Sequence, residues 1–197
     1  MGRILELARS RRSIRSYSCD PVPLEDVAYI VDVARHAPSG ANKQPWRFLI
    51  IQDPLVKKLI RGKCEEVERR FHERVDPEFR EWLRSRGISW RKPFLTDAPI
   101  LILVFARRGE PYWIESTWIS IGYLILAAKE LGYSTLTYTP SEVDWSNKIL
   151  QVPEEYVLQA IIPVGKPAER REAREQDRRL SLHEVCYLDS WGKGLKI

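Results

Sequence analysis

The chain has 197 residues, 44% of them hydrophobic and 30% charged, with a formal net charge of +5. That is enough apolar material for one substantial core, so a single domain over 1–197 is expected, and no run of about eighteen apolar residues is present to span a bilayer. The three cysteines (Cys19, Cys64, Cys186) and three histidines (His36, His72, His183) lie far apart, which excludes a disulfide framework and a metal knuckle.

The opening ILELARSR reads as a short helix, too charged to be a secretory signal, so a cytoplasmic location is expected. RRSIRSY, residues 11–17, then sets three arginines among three hydroxyl residues. A solvated basic surface, a nucleic-acid patch and a cradle for one phosphorylated small molecule are all open readings there. PLEDVAYIVDVARHA carries Leu24, Val27, Ile30, Val31 and Ala34 at helical spacing, with Pro23 and Asp26 suiting its start.

RFLIIQD reads as a buried strand. DPLVKKLIRGKCEEVERRFHERV is a long charged helix with Gly62 as a candidate interruption, and DPEFREWLRSRG a short helix ended by Gly87. APILILVFA, almost continuously apolar, is expected to be central in its sheet. YWIESTWISIGYLILAAKELG has Ile114, Trp118, Ile121, Leu124, Ile125, Ala128 and Leu131 on a wide stripe, so burial on most sides is expected, with Gly132 as the C′ cap. YSTLTY, residues 143–150 and YVLQAIIPVG read as strand, short helix and strand. The order is α+β: helices packed on a sheet of about four strands. The charged tail, an arm from about residue 166 to 197, ends in aromatic residues that need a surface to bury against. Arginine outnumbers lysine, and Asn, Gln and Met are scarce, which leans towards a thermophilic source.

HAPSGANKQPWRF, residues 36–48, joins helix to strand through Pro38, Ser39, Gly40 and Asn42. Gly40 permits close approach of a ligand to backbone, and Asn42 and Gln44 can each donate and accept, as the edge of a heteroaromatic ring requires. A well-capped connection is the plainer reading. Trp82 and Trp90 are expected in ordinary helix packing.

In sequence, these pieces resemble the nitroreductase family of FMN-dependent oxidoreductases. Arg11, Arg12, Ser13, Arg15 and Tyr17 match its RRSxRxY/F opening. Ala37 to Phe48 matches APSxxNxQPWxF at every fixed position, Ala98-Pro99 opens a similar central strand, and Arg179 precedes a Leu-His-Glu-Val segment. The resemblance implies a mostly antiparallel sheet flanked by helices, in an interlocked homodimer with exchanged C-terminal arms and two FMN sites at the subunit boundary.

By position, the resemblance implies that Arg11 and Arg179, with Arg178, hold the FMN phosphate. It gives Ser13 and Arg12 further contacts, and places Arg15 beside the pyrimidine end, where a cation stabilises developing charge. Pro38, Ser39 and Gly40 would come from the partner, with Asn42 and Gln44 near the same pocket. Thr137, Tyr138 and Thr139 are the candidates for the hydrogen bond to flavin N5, since Pro140 has no N–H. The implied activity is NAD(P)H-driven, two-electron, ping-pong reduction of nitroaromatics, quinones or similar small acceptors. The alternatives are a dehalogenating or flavin-consuming enzyme of the same fold and, from another class, a basic nucleic-acid-binding module. Neither a nucleic acid nor a membrane is an expected partner. No G-x-G-x-x-G follows a strand, so NAD(P)H is a transient co-substrate without a domain of its own.

Overall fold

The computed structural model describes residues 2–168 and 179–195. It contains the helices α1 (Arg3–Ser10), α2 (Leu24–Arg35), α3 (Pro54–Arg74), α4 (Pro77–Ser85), α5 (Phe94–Asp97), α6 (Trp113–Glu130), α7 (Trp145–Leu150) and α8 (Leu182–Val185). The strands are β1 (Trp46–Ile51), β2 (Ile100–Arg107), β3 (Ser134–Thr135) and β4 (Tyr156–Gly165), paired antiparallel in the order β1-β2-β4-β3. The α+β expectation holds, and the APILILVFA strand is central as its apolar run demands.

β2 is buried on both faces because each face meets its own core. Leu101, Leu103 and Phe105 pack with Ile161, Ile60, Cys64, Leu95, Ile14 and Tyr17. Ile100, Ile102 and Val104 point the other way, onto Ile162, Val164 and the inner faces of α2 and α6. This is the period-2 alternation of a strand, hidden in the sequence because both sets are apolar.

Proline and aspartate set the helix starts. Asp53 accepts from the backbone N–H of Leu55 and Val56 ahead of Pro54, and Asp76 accepts from that of Phe79 ahead of Pro77. Gly132, at φ 84°, stands one residue beyond the Leu131 cap of α6, as expected.

Four expectations need correction. α3 runs unbroken for 21 residues through Gly62. A glycine costs a helix about 1 kcal/mol, and buried Ile60, Cys64 and Val67 outweigh it. α6 buries one face rather than most sides: Ser116, Thr117, Ser120, Ile121, Leu124, Ala127 and Ala128 are inside, while Ile114, Trp118 and Leu131 are exposed. The small hydroxyl residues face inwards because they let α2 approach, with Ser120 Oγ donating to the Ala34 carbonyl at 2.8 Å. β1 is an edge strand with partly exposed side chains rather than a buried one. Trp82 is half-exposed, stacked on Phe79 with a centroid separation of 5.5 Å, because α4 lies on the surface.

The basic stretch is fastened to the β3 edge of the sheet. The Ile14 N–H donates to the Thr135 carbonyl, Ser18 N–H to that of Lys166, and Ala168 N–H to that of Ser16. Ile14 and Tyr17 drop into the core, which leaves Arg15 and Ser16 outside. A Cβ on Gly165 would lie 2.7 Å from Pro99 Cδ and 3.2 Å from Tyr17 Cδ1, so only glycine lets the segment seat this closely.

Candidate functional site

Two clusters carry the candidate residues. The first gathers at the β3 edge. Arg11 Nη1 donates to Ser13 Oγ at 3.4 Å, and Ser13 bridges Thr135 in parallel register. Arg12 Nη1 donates to the carbonyls of Arg9 and Arg11. Arg179, far away in sequence, comes close enough to act on Arg11. Burial, then Arg179, then Arg12 hold the Arg11 pKa below its usual value. Like charges brought near Arg11 are a disposition that a bound phosphate would relieve through charge-assisted hydrogen bonds. Arg178 lies outside the described residues.

A separate cavity of about 160 Å³ is lined by Arg15, Ser89, Arg91, Lys92 and Phe94 among others. Arg15, Arg91 and Lys92 make its lining electropositive. Beneath it, Lys92 Nζ pairs with Glu68 Oε2 at 3.3 Å, both side chains nearly buried, and donates to the Ser89 carbonyl at 2.7 Å. Glu68 Oε1 accepts from Tyr138 OH at 3.1 Å and from Ser141 N–H at 3.0 Å.

Tyr138 spends its own N–H on the Ile161 carbonyl and turns its side chain into the core. Thr139 is exposed between buried Tyr138 and Pro140, and its N–H has no acceptor among the described residues.

The second cluster is the 38–44 loop, at the other edge of the sheet. Gly40 N–H donates to Ser116 Oγ at 3.2 Å, and a Cβ there would come within 2.6 Å of the Pro111 carbonyl oxygen. Gln44 N–H donates to Ser39 Oγ at 3.0 Å, while Gln44 Nε2 donates to the Asn42 carbonyl and to Asn42 Oδ1, each at 3.2 Å. Ala41, Asn42 and Gln44 all have positive φ, a conformation costing about 1–2 kcal/mol for a residue such as alanine. The loop holds that strain in a fixed shape. A cavity of about 290 Å³ beside it is lined by Pro38, Ser39, Gly40, Tyr112, Glu115, Ser116 and Ile119.

The two clusters do not meet within one chain. Ser13 stands level with Thr135, Val164 and Ile100; Gln44 precedes β1 by way of Pro45, and Trp46, the first residue of β1, is level with Ala106. Four interstrand steps and six residues along β2 separate these levels, about 28 Å by standard sheet spacing.

Sequence reasoning did not find Glu68, Lys92 or Ser116. Each acts through a long-range contact from a helix or turn whose local pattern reads as surface or core. A hint lay in the lysine of WRKPF, next to an apolar turn leading into the central strand. Among the described residues, no group of three or more His, Cys, Asp or Glu could hold a metal ion, and no helix is long and apolar enough to cross a membrane.

A sequence profile described as "Nitroreductase family" matches residues 8–166. An iodotyrosine deiodinase of Thermotoga neapolitana is 44% identical over 167 residues, covering 85% of this chain and 90% of its own. One of Haliscomenobacter hydrossis is 41% identical over 170 residues, covering 81% and 77%. The crystal structure of an oxidised iodotyrosine deiodinase bound to FMN and 3-iodo-L-tyrosine superposes with a TM-score of 0.84 at 40% identity, over 90% of this chain and 97% of that one. With its sheet order, its basic N-terminal segment and its strained 38–44 loop, the chain belongs to the nitroreductase family.

Proposed function

We propose that the protein is an FMN-dependent reductive dehalogenase acting on a halogenated tyrosine or a closely similar halophenol. The observation that carries this reading is the likeness to iodotyrosine deiodinases at 44% and 41% identity, joined by a solved relative that holds FMN and 3-iodo-L-tyrosine together. It displaces nitroaromatic or quinone reduction as the leading activity, and NAD(P)H stays a proposed electron donor only. The rival is general NAD(P)H-driven reduction, which the broad family alone would suggest.

The residues fit the cofactor. Arg11, Arg12 and Arg179 would grip the FMN phosphate, with Arg178 beside them in sequence and Ser13 adding a hydroxyl. Arg15 would stand at the pyrimidine end, where a fixed cation favours added electrons. When bound, FMN supplies the two electrons that convert an aryl iodide and a proton into the arene and iodide.

Thr139 would face flavin N5, through its N–H or its hydroxyl. The cations lining the cavity by Arg15 suit the carboxylate of an amino-acid acceptor, which a simple nitroaromatic lacks.

The distance between the two clusters supports a homodimer. The Arg11–Arg15 cluster and the loop bearing Pro38, Ser39, Gly40, Asn42 and Gln44 lie too far apart in one chain to touch the same flavin. A second copy brings its loop to the first copy's arginines. Two apolar surfaces support this reading: the outer face of α6 (Ile114, Trp118, Ile119, Tyr123) and the tail, where Trp191 is 91% exposed. Iodide release from 3-iodotyrosine by the reduced, FMN-loaded protein tests the activity.

A further inference from the structure

Tyr17 stands two residues beyond Arg15 and is 6% exposed. A phenol hydroxyl buried that deeply costs free energy unless it is hydrogen-bonded. This one donates to the Ile14 carbonyl at 3.0 Å, and the Pro163 carbonyl of β4 lies 3.4 Å away. The shorter bond runs from a residue to the one three places earlier. It therefore closes a ring of side chain and backbone around Arg15 and Ser16, the two exposed residues of the step. Burial raises the pKa of the phenol, against a smaller lowering by Arg15. The hydroxyl thus keeps its proton through the neutral range, and the guanidinium lies within electrostatic reach of it.

The surroundings hold both ends of that step. Ile14 N–H donates to the Thr135 carbonyl at 3.1 Å and Ser18 N–H to that of Lys166 at 2.9 Å, while Ala168 N–H donates to the Ser16 carbonyl at 3.1 Å. Tyr17 bridges Pro167 in antiparallel register, and its ring faces Gly165, where a Cβ would come within 3.2 Å of Cδ1. These contacts fasten the ends to the sheet. The Tyr17 hydroxyl fastens the ends to each other.

We infer, on the reading that Arg15 is the cation at the pyrimidine end of the flavin, that Tyr17 is a positioning residue: its hydroxyl, donating to the Ile14 carbonyl, closes the Ile14–Tyr17 step and fixes the point from which Arg15 reaches the ring. The guanidinium sits at the end of a long, flexible side chain, so its effect on the flavin depends on how firmly its Cα is held. A cation held in place stabilises developing charge without first reorganising, and a misplaced one loses much of that effect. Tyr17 acts through the backbone that carries Arg15.

Tyr17→Phe keeps the ring against Gly165 and removes only the hydroxyl, so it separates the closure from the packing. Two measurements read it. Amide hydrogen exchange of peptides covering residues 12–19, in FMN-free protein, reports the step with no flavin present. The midpoint potential of the FMN-loaded protein, taken for the wild type, Tyr17→Phe, Arg15→Ala and the double variant, reports whether the closure acts through Arg15.

In Tyr17→Phe the 12–19 segment should exchange about fivefold faster, with peptides from β2 unchanged. The potential should fall by less than in Arg15→Ala, and the double variant should match Arg15→Ala, since no cation is left to position. A loss of packing alone would move exchange and leave the potential where it was. Unchanged exchange in Tyr17→Phe overturns the closure. Faster exchange with an unmoved potential, or an equal fall with and without Arg15, overturns the positioning role. An unmoved potential in Arg15→Ala overturns Arg15 as the flavin's cation, and the inference falls with it.

Discussion

Arg179, near the C-terminal end of the fold, lies close enough to Arg11, near its start, that after burial it adds to the lowering of the Arg11 pKa. In the absence of an anion the like charges repel. The expected consequence has two parts. Arg179→Ala should weaken FMN binding by about 10- to 100-fold, the worth of a charge-assisted phosphate contact. The FMN-free variant should nevertheless melt no lower than the wild type, because a repulsion has been removed. Equilibrium dialysis with FMN and thermal melts of the apoprotein measure the two.

Arg15 is exposed, unlike Ile14 and Tyr17 beside it, and lines the electropositive cavity. Arg15→Ala should retain most FMN affinity and lower the midpoint potential of the bound flavin by about 30 mV, which for two electrons is near 1.4 kcal/mol. Potentiometry with a reference dye checks this.

Much of this was legible in the chain. APILILVFA announced a central strand because seven consecutive apolar residues cannot alternate with solvent, and Pro23 with Asp26 marked where α2 begins. The basic stretch and the APSGANKQPW loop were recognisable as residues. Their placement at opposite edges of the sheet was not, since strand order is a property of pairing between distant segments. The same holds for Glu68. A glutamate among EEVERR looks solvated, and only Lys92, Tyr138 and Ser141, arriving from elsewhere, make its burial possible. The face of α6 was misjudged for a related reason: Ser116, Thr117 and Ser120 are buried for their small size, while Ile114 and Trp118 remain outside.

Those outward residues bear on assembly. The protein should sediment as a dimer, and Trp118→Glu should shift it towards monomer with loss of FMN retention, because the partner's loop no longer completes the site. Sedimentation velocity of both proteins, run with flavin absorbance as the signal, gives mass and cofactor content together.

Cys64 provides a pH test of the core. Its thiol is fully buried, and burial above all raises its pKa from 9.0 to about 12, against a smaller lowering by its hydrogen bond with Tyr138. On unfolding, the thiol returns to its ordinary value and loses its proton at lower pH. The unfolded state then binds fewer protons than the native state, so stability present below pH 9 declines as pH rises towards 12. Urea unfolding should show this decline, and Cys64→Ala should reduce its part between pH 9 and 10, below the range in which Tyr17, Tyr133 and Tyr138, whose pKa values are also raised from 10.0, add to it.

The activity itself is most directly tested by reducing the FMN-loaded protein without oxygen, adding 3-iodotyrosine and measuring iodide and tyrosine. One iodide and one tyrosine for each two electrons delivered, with little turnover of a nitroaromatic under the same conditions, is the result this account requires. Rapid nitroaromatic or quinone reduction with no iodide released would contradict it and return the chain to the general reductases of its family.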